Sequence, residues 1–173
     1  YSYFLPRVTR PEAKDLISKL NYVLMGLGAL MSMLLFFGAE LIAGAMNNTS
    51  LIKPIQYFSL VPFFMLPTMG LESILATFNQ TKFLAFYDVS TRIVMLLCVA
   101  LPVVIFKGDV HSAIIGFTIA SFFSFVLALF LKSTPVKKEI RQKTSITYKE
   151  IFGYTIPIMG ATIWGIIITS SDQ

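Results

Sequence analysis

Long apolar runs without charge alternate with short charged segments along this 173-residue chain. Residues 20–39, 54–71, 110–131 and 151–171 contain no Asp, Glu, Lys or Arg. Each run has about 18–22 residues, and a helix of roughly 20 residues crosses the ~30 Å hydrocarbon layer of a membrane. The pattern therefore predicts an all-α fold, a polytopic bundle of transmembrane helices.

Five spans are predicted. They are Leu20–Ala39, Pro54–Phe78, Phe83–Phe106, Val110–Leu131 and Ile151–Ser171, the last within a final segment of residues 151–173. We interpret residues 1–19 as the end of a preceding helix plus an amphipathic connector at the membrane interface. Residues 132–150 are predicted to be a polar linker between two helical bundles. Neither end of the sequence carries a polar tail or leader, so we expect an internal piece of a longer protein.

Composition agrees with a membrane protein, and the distribution of charge predicts its orientation in the membrane. The chain is 55% hydrophobic and 13% charged, with a mean hydropathy of +0.74, whereas soluble domains are about 25% charged. Eleven of the fourteen basic residues lie in residues 1–19, the 79–82 turn and the 132–150 linker. Basic residues collect on the cytoplasmic side, so these three segments are predicted to face the cytoplasm. The net charge of +5 then indicates contact with anionic lipid headgroups, not with nucleic acid.

Three charged residues fall inside predicted spans: Glu72, Asp88 and Arg92. Asp88 and Arg92 are separated by four residues, which places them on one helix face. A bare charge at mid-bilayer costs at least ~2.5–3.5 kcal/mol, so such residues normally face the bundle interior and pair or line water. One interpretation is a structural Asp88–Arg92 ion pair within a buried ionic cluster. The other is functional: Arg92 binds a substrate, while Glu72 or Asp88 takes up a proton or a cation.

The prolines, and the absence of catalytic and metal-binding sequence motifs, favour a transporter over an enzyme. The second span contains Pro54, Pro62 and Pro67, and proline interrupts helices in ways that suit a transporter that bends. Cys98 is interpreted as a small apolar residue and His111 as an interfacial one. The sequence contains no HExxH, GxSxG, phosphate-loop or metal-ligand spacing, so we expect no enzyme activity, no metal and no cofactor.

Two stretches resemble a known family. YFLPR at residues 3–7, followed by EAKDL, resembles the cytoplasmic end of the second helix of bacterial polysaccharide flippases. YKEIFGYTIPIMGATIWGIIITSSD at residues 148–172 resembles their seventh helix, although Gln173 follows Asp172 where the family often has a basic residue. These flippases belong to the multidrug/oligosaccharidyl-lipid/polysaccharide exporter superfamily.

The resemblance implies a two-lobed exporter, of which residues 20–131 would form four helices of the first lobe and residues 151–173 the first helix of the second. Such proteins move undecaprenyl-pyrophosphate-linked oligosaccharide across the bacterial cytoplasmic membrane by alternating access, often driven by a proton or sodium gradient. Arg92 and Arg7 would contact the pyrophosphate. Glycosyltransferases and a glycan polymerase are the partners that the resemblance implies.

Other functions stay open at this point. Within the superfamily, a drug/cation antiporter or a flippase for a peptidoglycan-precursor lipid would have similar spans. A membrane-embedded glycan polymerase or ligase would need a large outer loop with catalytic residues, and both outer connections are short. A purely structural scaffold is disfavoured by the charges inside the spans.

Overall fold

The computed structural model describes residues 1–105 and 110–157. Its α-helices are α1 (Arg10–Ala45), α2 (Ile52–Phe58), α3 (Leu60–Met65), α4 (Leu71–Thr77), α5 (Thr81–Ile105) and α6 (Val110–Ser133). Short 3₁₀ turns lie at Leu5–Arg7, Thr49–Leu51, Leu66–Thr68 and Thr134–Val136, and residues 148–157 are helical. The all-helical prediction is confirmed for these residues. Most of the predicted fifth span lies outside the described residues, as do Lys107, Asp172 and Gln173.

Helix α1 begins ten residues before the predicted first span. The carboxylate of Glu12 accepts hydrogen bonds from the backbone N–H and the hydroxyl of Thr9, at 3.0 and 2.8 Å, and Pro11 occupies the first turn. Both features start helices, and no residue between Glu12 and Leu20 stops one. From Arg10 onward, the residues assigned to the connector within residues 1–19 are therefore continuous with the helix of the first predicted span. At 1.5 Å per residue the 36-residue helix is about 54 Å long, well beyond the hydrocarbon layer.

The second predicted span is interrupted, as its prolines suggested. Helices α2, α3 and α4 follow one another over Thr49–Thr77, which together is long and apolar enough to cross a membrane. The main break lies after Pro67: Met69 has an extended ψ of 143°, and Gly70 has a φ of +82°. Only glycine adopts that left-handed conformation without strain, and a Cβ at Gly70 would also collide with the Tyr1 ring.

Helix α6 packs against each part of the interrupted span and most extensively against α5. A glycine permits the closest approach, because a Cβ at Gly116 would collide with the backbone carbonyl of Cys98. Between α3 and α6 the contacts are aromatic, with Phe64 set edge to face on Phe122 at 5.3 Å between centroids. Small residues and aromatic rings are common at interfaces between membrane helices.

Several buried apolar side chains, among them Leu5, Leu16, Ile17 and Val136, lie at one end of the bundle, which we call the basic end. It consists of residues 1–19, the 79–82 turn and the 132–150 linker, the three segments predicted to share a side. Residues 1–19, α4 and the 132–150 linker contribute to common clusters, one of which joins Leu5, Ile17, Ile74 and Val136. Two of the three segments, residues 1–19 and the 132–150 linker, thus pack together.

Apolar side chains cover the outer faces of the long helices. Phe37 and Leu41 of α1, Leu96 and Val104 of α5 and Phe130 of α6 are each more than 60% exposed. A soluble protein rarely leaves so much contiguous apolar surface in water, whereas lipid tails cover it readily. Four segments of the described residues are long and apolar enough to span a membrane.

Candidate functional site

A groove between α5 and α6 contains two of the predicted site residues, Asp88 and Arg92. Its α5 wall also contains Tyr87, Thr91 and Met95, and the cavity has a volume of about 270 Å³. A groove of this size has room for a small polar group such as a phosphate or a sugar ring.

Helical spacing explains why the polar groups share the groove. Positions 88, 92 and 95 follow the three- and four-residue repeat that forms one face of α5. On α6, positions 117, 120, 121 and 124 repeat in the same way and form the opposite wall. Two amphipathic stripes thus face each other within helices that are otherwise apolar.

Besides the Tyr87 phenol, three aliphatic hydroxyl groups line the groove as hydrogen-bond acceptors. Thr91 donates to the carbonyl of Tyr87 at 2.9 Å, Ser121 to that of Phe117 at 2.8 Å and Ser124 to that of Ala120 at 2.9 Å. Each hydroxyl proton is thereby used within its own helix, while the oxygen lone pairs remain free to accept. The guanidinium of Arg92 supplies up to five N–H donors beside them.

The predicted buried ionic cluster is not formed within the described residues. Glu72, Asp88 and Arg92 are all exposed. In the described part of the chain, none of the three forms an ion pair within 4 Å. Glu72 occupies the first turn of α4 and does not line the groove. The structure therefore brings Asp88 and Arg92 together on one wall, without an ion pair between them, and places Glu72 elsewhere.

Arg7, the fourth predicted site residue, lies at the basic end and lines a different cavity. Its guanidinium stacks on the Tyr3 ring at 3.7 Å, and Tyr3 in turn stacks on Tyr154 at 4.0 Å. The cavity beside them has a volume of about 570 Å³ and is also lined by Glu150 and Ser145. A planar cation over an aromatic ring is held by attraction to the ring face and keeps its edge donors available.

Sequence reasoning missed a buried lysine. Lys132 was assigned to the polar linker, but it is 0% exposed in the last turn of α6 and its ammonium contacts four oxygen atoms. One of them, the hydroxyl of Tyr1, donates in turn to the side-chain oxygen of Asn21 at 2.8 Å. Burial raises the pKa of the Tyr1 phenol above its ordinary value, so this hydroxyl keeps its proton.

A second missed cluster attaches the linker to α1. The carboxylate of Asp15 accepts from Arg141 at 2.7 and 2.9 Å and from the backbone N–H of Thr144 at 3.2 Å, and Lys19 lies 3.2 Å away. Lys14 donates to the carbonyl of Glu139 at 2.9 Å. The linker is therefore held against the first turns of α1 by charged hydrogen bonds. Apart from Lys19, which lies four residues from Asp15 on α1, the partners are more than a hundred residues apart in sequence, so no local pattern marks the contacts with the linker.

Comparison with known proteins identifies the family. A family model described as polysaccharide biosynthesis protein matches residues 7–173, almost the whole chain. The chain belongs to this polysaccharide biosynthesis family. The resemblance to polysaccharide flippases is thus confirmed, and the apolar helices make this family member a membrane protein. No curated protein and no solved structure matches the chain.

Proposed function

We propose that this polysaccharide biosynthesis family member is a transporter that moves undecaprenyl-pyrophosphate-linked oligosaccharide across the bacterial cytoplasmic membrane by alternating access. The observation that carries the proposal is Arg92: a guanidinium inside a span, on the wall of a hydroxyl-lined groove, with no carboxylate within 4 Å among the described residues. Charge in a span is costly and is retained mainly on substrate pathways.

The groove has the chemistry of a site for a phosphorylated sugar. A guanidinium matches the oxygens of a phosphate with two parallel N–H bonds, which a single ammonium cannot do. The oxygens of Thr91, Ser121 and Ser124 can accept hydrogen bonds from sugar hydroxyls. Arg7 and its aromatic stack would offer a second positive site for the headgroup at the basic end, where the substrate would enter. The lipid tail can stay in the bilayer throughout.

Asp88 is the residue we propose for coupling to a proton or sodium gradient. It lies one helical turn from Arg92 on the same wall, so cation uptake there would change the charge that the substrate meets. Glu72 was a second candidate from the sequence, but its position outside the groove favours Asp88. A drug/cation antiporter is the second candidate. The Arg92 guanidinium, with no carboxylate within 4 Å among the described residues, favours an anionic substrate instead.

The test is replacement of Arg92 in the complete protein, including whatever chain flanks these residues. We expect Arg92→Ala to abolish export of the glycan, measured as surface polysaccharide in cells that depend on this transporter. Arg92→Lys should retain only part of the export, because the charge remains but the two-pronged bond is lost. Membrane protein level is measured in parallel by immunoblot.

The matched control is Arg10→Ala. Arg10 is also exposed, and it lies at the start of α1, away from the groove. Its removal should leave export unchanged. Normal export by Arg92→Ala refutes a role of Arg92 in binding the pyrophosphate, and loss of the protein from the membrane indicates a structural role instead.

A further inference from the structure

The cage around the Lys132 ammonium is made of oxygen atoms from three parts of the chain. The Nζ atom lies 2.6 Å from the carbonyl oxygen of Pro67, 2.8 Å from that of Met69, 3.0 Å from Asn21 Oδ1 and 3.3 Å from Tyr1 Oη. The Tyr1 ring also faces the ammonium, with its centroid 4.7 Å away. The interrupted span, α1 and the N-terminal segment thus meet at one cation.

The interruption of the second span is what makes the two carbonyls available. In a continuous helix they would accept from the N–H groups four residues later. Here Met69 is extended and Gly70 is left-handed, so the chain leaves the helical path between the two carbonyls and α4. Carbonyls released within a membrane protein must find another partner, since lipid supplies none. The ammonium of Lys132 is that partner.

All four oxygen atoms of the cage are electrically neutral. No carboxylate lies within 4 Å of Lys132 in the described part of the chain, so carbonyl and hydroxyl dipoles alone balance the positive charge. Unwound backbone carbonyls are the ligands with which transporters and channels hold monovalent cations. Divalent ions fit poorly, because Ca²⁺ prefers carboxylates at about 2.3–2.6 Å and Mg²⁺ requires about 2.0–2.1 Å.

We propose that the oxygen cage at the break of the second span is a binding site for a large monovalent cation, and that the Lys132 ammonium is its tethered occupant. When the ammonium is removed, K⁺ or a small alkylammonium ion takes its place. The site is separate from the groove of Asp88 and Arg92, and the inference does not depend on the substrate of the transporter.

The experiment removes the tethered ammonium and supplies free cations. Lys132→Ala is made in the complete protein, and thermal unfolding of the purified protein is followed in choline chloride, KCl, methylammonium chloride or MgCl₂ at equal ionic strength. In choline the variant should unfold at a lower temperature than the wild type. K⁺ and methylammonium should raise its midpoint saturably, with about a tenfold shift of the unfolding equilibrium at ten times the dissociation constant. Mg²⁺ should have no such effect.

Two controls separate the cage from general effects of charge. Lys137→Ala removes an exposed lysine five residues away, and neither it nor the wild type should respond to the choice of monovalent cation. Adding Asn21→Leu to Lys132→Ala removes one ligand and should weaken the cation response. A Lys132→Ala protein that folds but does not discriminate K⁺ from choline overturns the proposal. So does failure of this variant to accumulate in cells, because the cytoplasm is rich in K⁺.

Discussion

Asp15 should determine how firmly the linker stays on α1. The change is Asp15→Asn, which keeps the size of the side chain but removes its charge. Asp15 is only 8% exposed at its side chain, while its partner Arg141 is 55% exposed. An asparagine can keep its oxygen towards Arg141, but its NH₂ group then faces the Thr144 N–H and the Lys19 ammonium, and two donors cannot bond to each other.

The expected cost follows from these contacts. The half-exposed bond to Arg141 accounts for only about 0.2–1 kcal/mol. The Thr144 N–H, left buried without an acceptor, accounts for about 1–3 kcal/mol. We therefore expect detachment of the linker to become about 1–4 kcal/mol easier. At 1.4 kcal/mol per tenfold, this is roughly a 5- to 700-fold larger open population.

Limited trypsin digestion of the purified protein measures that population. Cleavage after Lys143 requires the linker to leave α1, and its rate follows the open population when reclosing is fast. The matched control is Glu139→Gln, which makes the same change of charge within the linker itself. The Glu139 side chain has no hydrogen bond or ion pair in the described part of the chain. Equal cleavage rates in the two variants would refute the assignment of Asp15 as the anchor.

Three further substitutions test the packing of the spans, each followed by thermal unfolding of the purified protein. Gly70→Ala should destabilise by about 1–3 kcal/mol or more, because the left-handed backbone and the neighbouring ring both oppose a Cβ. Gly116→Ala should push α5 away from α6 and destabilise the protein by a similar amount. The control Gly26→Ala, whose added methyl group meets open space, should be neutral. Equal effects of the two substitutions would contradict the close contact between Gly116 and Cys98. Ser32→Ala removes the acceptor for the Phe63 N–H, 3.2 Å away, and should lower stability by about 0.6–2 kcal/mol. An unchanged unfolding temperature would show that this bond between α1 and α3 does not stabilise the fold.

The helices of the described spans were predictable because a membrane acts on each segment separately. Any stretch that crosses hydrocarbon must be apolar and must satisfy its own backbone, so residues 110–131 indicated a helix without knowledge of its neighbours. The prolines of the second span indicated its interruption in the same local way. The start of α1 at Arg10 could not be read from the uncharged run that begins at Leu20, because helix formation depends on capping and propensity and not on charge alone.

The site residues were predictable only where a repeat placed them. Asp88 and Arg92 share a face of α5 because they are four residues apart, which a sequence shows directly. Whether they form an ion pair depends on the side-chain geometry at the groove, and in the structure no ion pair joins these two described residues. Glu72 was grouped with them only because it also lies inside a predicted span. A position inside a span does not determine the direction in which a helix presents a side chain.

Tertiary structure alone decided the roles of the charges at the basic end. By sequence, Lys132 and Arg141 belong to one polar linker, and nothing local separates them. The fold buries the first against Tyr1, 131 residues away, and ties the second to Asp15, 126 residues away. An ammonium can be buried only where enough oxygen atoms converge on it, and that convergence arises when the broken span, α1 and α6 pack together.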